Sequence, residues 1–128
     1  MACVLVVDDN EDVGVLAEGI IRQIGHDTLR AGDAAEAIAV LDVARGIDLL
    51  FTDIRLTDDP HGGITVAKHA RTKHPQIAVV YTAGSGVNDG TRALFVERYW
   101  FVPKPYRPGD LEMVLGNALS GKNPEKAN

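Results

Sequence analysis

Short apolar runs separated by longer amphipathic stretches constrain the fold of this chain more than any other feature of its sequence. The first run, residues 4–7, is apolar without alternation, which is the pattern of a strand buried on both faces of a sheet. A more polar run typical of an edge strand comes second, at residues 26–31, and three further apolar runs follow at residues 47–51, 77–81 and 100–102. After each run, apolar residues recur mostly at three- or four-residue spacing, as in a helix with one buried face. Five strand–helix units in this order predict a parallel sheet with right-handed crossovers and helices on both faces.

Capping residues and prolines set several of the predicted helix ends. Asp33 is placed to cap the second helix, and Pro75 stops the third. The fourth predicted helix, residues 91–97, is weakly patterned and follows a glycine-rich stretch. The last helix has Pro108 near its first turn.

Length, charge and cysteine content restrict the classes of protein that fit. The 128 residues suffice for one domain, which we expect over residues 1–120, followed by a polar tail over residues 121–128. The net charge of −5 argues against nucleic-acid binding through phosphate contacts. No apolar run reaches the roughly 20 residues of a membrane-spanning helix, and the first residues lack a signal-peptide pattern. The single cysteine, Cys3, fits a reducing compartment, so we expect a cytoplasmic protein without membrane insertion.

Chemically reactive side chains stand at the carboxyl ends of the predicted strands, where sheets of this kind bind ligands. The first strand ends in Asp8 and Asp9, the third in Asp53, the fourth in Thr82, and Lys104 follows the fifth. Three carboxylates repel one another unless a cation lies between them. Oxygen ligands favour a hard cation such as Mg²⁺, and an aspartate can act as a nucleophile that forms an aspartyl phosphate. The lysine and the threonine hydroxyl can neutralise and hydrogen-bond an incoming phosphoryl group.

Four motifs in order along the chain closely resemble the receiver domain of two-component response regulators, the CheY-like superfamily. They are VLVVDDN at the start, LLFTDIRL around Asp53, VVYTAG around Thr82 and VPKPY around Lys104. The resemblance extends from about residue 4 to residue 119. It implies a flavodoxin-like (βα)5 fold, doubly wound, with strand order 2-1-3-4-5 and three α/β/α layers.

The resemblance also implies a role for each site residue. Asp53 is expected to be the phosphoacceptor and a metal ligand. Asp9 is expected to bind Mg²⁺ (or Mn²⁺) directly, Asp8 mostly through water, and Arg55 through its backbone carbonyl.

Further residues are expected to respond to the phosphoryl group. Lys104 is expected to contact it, Thr82 to move toward it, and Phe101 to change rotamer together with Thr82 as a switch. Arg55 and Gly84 occupy positions that vary among receivers, and we hypothesise that the Arg55 side chain pairs with the phosphoryl group and slows its hydrolysis.

The implied partners are proteins. A histidine kinase or a histidine phosphotransfer protein is expected to supply the phosphoryl group, and small donors such as acetyl phosphate can also do so. The eight residues after the last predicted helix cannot hold an output domain. We therefore expect signalling by contact with an unknown target, by a monomer or a phosphorylation-dependent dimer, and no enzymatic activity beyond self-phosphorylation and autodephosphorylation.

Three positions depart from the family's usual pattern. Thr57 stands where receivers usually have proline, and the loop up to Gly63 is a residue or two longer than usual. Glu97 and Arg98 replace the glycine–alanine pair common before the fifth strand, and Gly84, Gly86 and Gly90 lie nearby, which predicts a short or mobile fourth helix and an unusual output face.

Other functions and simpler roles remain as alternatives. A pseudo-receiver would bind without accepting phosphate. A haloacid-dehalogenase-like phosphatase needs a second aspartate where Arg55 stands, and a flavodoxin-like flavin binder needs a Ser/Thr/Gly-rich loop after the first strand. Phe101 could be core packing rather than a switch, and Tyr99 and Trp100 could be exposed partner contacts or the packing of a lid. The four histidines lack metal-ligand spacing and are expected at the surface: His26, His61, His69 and His74.

Overall fold

A computed structural model describes residues 1–57 and 59–125 of the chain. Five strands and five helices alternate: β1 Cys3–Val7, α1 Glu11–Gln23, β2 Asp27–Ala31, α2 Ala34–Val43, β3 Leu49–Asp53, α3 Gly62–Lys73, β4 Ala78–Ala83, α4 Asp89–Arg92, β5 Tyr99–Pro103 and α5 Pro108–Ser120. All neighbouring strands pair in parallel, in the order β2-β1-β3-β4-β5. The expected doubly wound sheet and its strand order are confirmed.

Two apolar cores lie on opposite faces of the sheet. On one face, Leu5 and Leu50 pack in a cluster that includes α2 and α3 residues. On the other face, Val6 and Phe51 pack in a cluster that includes α1 and α5 residues. Because consecutive strand residues point to opposite faces, strands covered on both sides are continuously apolar, as residues 4–7 are.

The fourth helix is short, as predicted, but its bounds differ from the prediction. The helix has four residues rather than seven, begins after the Asn88 cap, and ends at Arg92. Residues 93–98 are held by contacts from elsewhere: Phe95 stacks on Tyr81 with ring centroids 4.2 Å apart. The guanidinium of Arg71 on α3 donates to the carbonyls of Glu97 (2.5 Å) and Arg98 (2.7 Å). These long-range contacts replace helical hydrogen bonds, so the local pattern could not set the helix end.

Tyr99 and Trp100 are buried, 3% and 2% exposed, which favours packing over partner contact. The Trp100 indole N–H donates to the Lys122 carbonyl at 2.8 Å. The Glu125 N–H donates to the Tyr99 carbonyl, also at 2.8 Å, in an antiparallel bridge. The segment after α5 therefore lies along the outer edge of β5 as far as residue 125.

No helix in residues 1–57 and 59–125 combines the length and the apolar character needed to cross a membrane.

Candidate functional site

The parallel register brings the strand-end side chains together at one edge of the sheet. Asp53, the last residue of β3, pairs with Thr82 of β4. Asp8 follows β1, and Lys104 follows β5 and is fixed by a bond from its N–H to the Ala83 carbonyl at 2.9 Å. The Lys104 ammonium lies 2.9 Å from Oδ2 of Asp8 and 2.9 Å from Oδ2 of Asp53. The sequence therefore correctly predicts that these residues converge.

The three aspartates form a cluster suited to a hard cation. One carboxylate oxygen from each of Asp8, Asp9 and Asp53 lies within 4.8 Å of the others. Among the described residues this is the one group of three or more His, Cys, Asp or Glu side chains close enough to share an ion. The donors are all oxygens and carry more negative charge than Lys104 neutralises, so they fit Mg²⁺. Arg55 is exposed and lies on the wall of the same cleft.

Backbone N–H groups donate hydrogen bonds to two of these carboxylates. The Asn10 N–H donates to Oδ1 of Asp8 at 2.9 Å, and Asp8 is 4% exposed. The Thr57 N–H donates to Oδ2 of the exposed Asp9 at 2.8 Å. Thr57 is the residue that replaces the expected proline, and a proline has no N–H to give.

Burial and charge shift the titration of the central pair. Burial raises the pKa of Asp53 above the ordinary carboxyl value; the Lys104 hydrogen bond and charge oppose this rise, and the charges of Asp8 and Asp9 add to it. Burial lowers the pKa of Lys104, but its hydrogen bonds to Asp53 and Asp8 outweigh burial, so the net shift is upward. The ionised Asp53 is thus destabilised, and a cation at the cluster would relieve that destabilisation.

Thr82 and Phe101 lie on the strands beside the cluster. The Thr82 hydroxyl is buried and donates to the Val102 carbonyl at 2.7 Å, so it points away from Asp53 toward β5. The Phe101 ring is half-buried, and the Arg92 guanidinium carbon lies 5.8 Å from its centroid. The geometry is compatible with both roles that the sequence left open for Phe101, switching and packing.

A long β3–α3 loop forms one wall of the cleft above Asp53. The cleft has a volume of about 410 Å³ and is lined by Pro60, His61 and Lys104 among others. Gly63 lies directly against the end of β3, with its N–H donating to the Ile54 carbonyl at 2.8 Å. His61 is exposed, as expected, but its place on the cleft wall was not predicted, because it follows from the extended loop.

The other histidines have structural contacts away from the cluster. The His26 Nδ1 accepts from the Ala2 N–H at 3.1 Å, and the His69 Nε2 lies 2.6 Å from an Asp42 oxygen. The His74 Nε2 contacts the Leu41 carbonyl at 2.9 Å, and these three histidines are half-buried rather than fully at the surface.

Comparison with known proteins identifies the family. The model of the response regulator receiver domain matches residues 4–115. The chain belongs to the response regulator receiver family. Receivers are generally signalling domains of bacterial two-component systems rather than enzymes. They bind Mg²⁺ in an acidic pocket, and their usual partner is a histidine kinase.

Two curated regulators resemble this chain over part of their length. It is 32% identical to the nitrogen assimilation regulatory protein NtrX of Azorhizobium caulinodans over 118 residues, which cover 91% of this chain and 26% of that protein. It is also 32% identical to the response regulator protein PilR of Pseudomonas aeruginosa, covering 94% of this chain and 27% of that protein. The receiver thus spans about a quarter of the length of these curated relatives.

Solved structures agree with the fold. A receiver protein from Sinorhizobium medicae superposes with a TM-score of 0.85 at 24% identity, covering 95% of this chain and 97% of that one. NtrX from Brucella abortus gives a TM-score of 0.80 at 33% identity, covering 94% of this chain and 27% of that one.

Proposed function

We propose that this receiver accepts a phosphoryl group on Asp53 from a histidine kinase or a histidine phosphotransfer protein. The observation that carries the proposal is the cluster of three carboxylates, two of which, Asp8 and Asp53, contact the Lys104 ammonium. A structural role alone does not account for three carboxylates brought this close together at a ligand-binding sheet edge.

Lys104 orients Asp53 as the nucleophile. Its ammonium occupies Oδ2 of Asp53, which leaves Oδ1 as the nucleophile. Oδ1 forms a bond to phosphorus while the bond between phosphorus and the donor breaks, and the donor leaves with that electron pair. With acetyl phosphate the leaving group is acetate, and with a phosphohistidine it is the imidazole. The positive charge of Lys104 then offsets charge on the transferred group.

Mg²⁺ (or Mn²⁺) would be held by Asp9, Asp53 and the Arg55 carbonyl directly and by Asp8 mostly through water. When bound, the divalent cation neutralises negative charge on the transferring phosphoryl oxygens. Asp8 and Asp9 contribute by placing their carboxylates within 4.8 Å of Asp53. We expect the Arg55 side chain, which is exposed on the cleft wall, to pair with the phosphoryl group and slow its hydrolysis.

Phosphorylation is read out through Thr82 and Phe101. The Thr82 hydroxyl gives up its bond to the Val102 carbonyl and donates to the phosphoryl group instead. That exchange shifts an equilibrium between two states of β5 and the Phe101 ring. The unit that responds is residues 1–120, acting in the cytoplasm on a protein target.

Intact-mass measurement tests the proposal. The chain is incubated with Mg²⁺ and acetyl phosphate, beside an Asp53→Asn variant and a sample with EDTA. One added phosphoryl group in the wild type alone is the expected result. The absence of an adduct, with acetyl phosphate and with a phosphorylated histidine phosphotransfer protein as donors, would instead support a pseudo-receiver that works by binding alone.

A further inference from the structure

The extended β3–α3 loop is tied to the acidic cluster by one hydrogen bond. The Thr57 N–H donates to Oδ2 of Asp9 at 2.8 Å, joining residues 48 positions apart in the chain. Asp8 and Asp53 are held by Lys104, and Asp8 also by the Asn10 N–H. Among the described residues, Thr57 provides the one hydrogen bond that fixes the exposed Asp9 carboxylate.

Thr57 can make this bond because the loop holds it in an unusual conformation. Its φ of 52° lies in the left-handed region, which is unfavourable for a residue with a branched side chain. Two reciprocal backbone bonds enforce it: the Leu56 N–H donates to the Asp59 carbonyl at 3.0 Å, and the Asp59 N–H to the Leu56 carbonyl at 2.9 Å. The strained position therefore faces its N–H toward the carboxylate cluster, as backbone strain at a functional site often does.

We propose that the Thr57 backbone N–H is a positioning group for the divalent cation, and that cation binding in turn orders the extended loop. An exposed aspartate rotates freely about its side-chain bonds, and repulsion from two neighbouring carboxylates drives it outward. The N–H donor offsets that repulsion and keeps Asp9 facing Asp53. The inference rests on the proposed function, because it takes Asp9 as a metal ligand.

Coupling of this kind is reciprocal, so the cation must stabilise the loop as much as the loop favours the cation. The loop carries Pro60 and His61 on the wall of the cleft above Asp53. Mg²⁺ therefore sets the shape of the cleft that a phosphodonor enters, as well as neutralising charge within it.

Magnesium affinity of position-57 variants tests the proposal. Mg²⁺ is titrated into the full chain and followed by amide NMR shifts, for the wild type, Thr57→Pro and Thr57→Gly. Proline lacks the N–H and cannot adopt φ 52°, whereas glycine keeps the N–H and adopts this φ readily. We expect about tenfold weaker affinity for Thr57→Pro, the size of a typical site-to-site coupling, and rescue to within about threefold by Thr57→Gly.

A second variant removes the N–H without the constraint that proline places on φ. Replacing Thr57 by its α-hydroxy analogue converts the N–H to an ester oxygen and keeps the side chain, although it also weakens the Leu56 carbonyl as an acceptor, and we expect about the same loss as for proline. In the wild type, Mg²⁺ should also slow hydrogen exchange at the amides of residues 57, 59 and 61–63. Wild-type affinity in the ester variant, or a loss in Thr57→Gly as large as in Thr57→Pro, would overturn the inference.

The intact-mass experiment keeps the two proposals distinguishable. If the wild type gains a phosphoryl group and the ester variant binds Mg²⁺ normally, the positioning role fails and the proposed function stands. If the wild type binds no Mg²⁺ and gains no phosphoryl group, both fail.

Discussion

Replacing Gly63 with alanine should damage both the fold and the candidate site. A Cβ at this position would lie 1.9 Å from the Asp53 carbonyl oxygen and 3.0 Å from the Ile54 Cα. Both neighbours are backbone atoms, so no side-chain rotation can relieve the overlap. Carbon atoms normally approach no closer than about 3.5 Å, so α3 and the end of β3 must separate by more than about 1 Å.

The free-energy cost follows from that separation. Overpacking of a tight contact costs about 1–3 kcal/mol, occasionally more. The separation also breaks the bond from the Gly63 N–H to the Ile54 carbonyl, now 2.8 Å long. A lost hydrogen bond adds about 1 kcal/mol, so we expect Gly63→Ala to lower the free energy of unfolding by about 2–4 kcal/mol.

Urea denaturation followed by Trp100 fluorescence measures this loss, since the chain has one tryptophan and it is buried. Gly19→Ala is the matched control, because Gly19 is exposed on α1 and a Cβ there meets nothing within 4 Å. Helix propensity predicts that Gly19→Ala raises the free energy of unfolding by about 0.5–1 kcal/mol. A Gly63→Ala variant within about 1 kcal/mol of the wild type would refute the reasoning.

Three further predictions concern charge. In EDTA at pH 7, Asp53→Asn should raise the free energy of unfolding by about 0.5–1 kcal/mol. The pKa of Asp53 is raised in the folded chain, so the ionised carboxylate destabilises the fold once the pH rises above the pKa of the unfolded carboxyl group. Denaturation at pH 3, where the carboxyl group is neutral, should therefore show no gain for Asp53→Asn. Lys104→Met should lower stability in EDTA by about 1–2 kcal/mol, since two carboxylates lose their cation, and thermal melts should show a larger Mg²⁺ stabilisation than in the wild type. Burial raises the pKa of Tyr81 to about 12, so the stabilisation from its neutral phenol is complete below pH 10 and lost between pH 10 and 12. Between pH 10 and 12, the free energy of unfolding measured in urea should fall by about 2 kcal/mol more for the wild type than for Tyr81→Phe. An equal fall in the two proteins would contradict this.

The sequence predicts the centre of the site better than its wall. Asp8, Asp53 and Lys104 follow apolar runs directly, and parallel strands bring their carboxyl ends to one edge, so strand prediction alone locates them. The Thr57–Asp9 bond depends on a left-handed backbone angle set by pairing between Leu56 and Asp59, which no local propensity reports.

The predicted end of α4 is wrong for a related reason. Arg71, more than twenty residues earlier in the chain, binds the carbonyls of Glu97 and Arg98 and so satisfies backbone groups that a longer helix would otherwise satisfy. Contacts between distant segments decide where such a helix stops, and a single sequence does not display them.

The backbone along the outside of β5 has consequences for association between copies. An edge strand with free N–H and carbonyl groups is a template on which another chain can add a strand and begin an aggregate. Here the Glu125 N–H donates to the Tyr99 carbonyl, and Pro103, at the other end of β5, has no N–H. At the opposite edge, β2 carries the charged residues Asp27 and Arg30. Both borders of the sheet thus discourage strand-to-strand growth, so the chain can present other surfaces to partners at high concentration without its sheet extending from one molecule to the next.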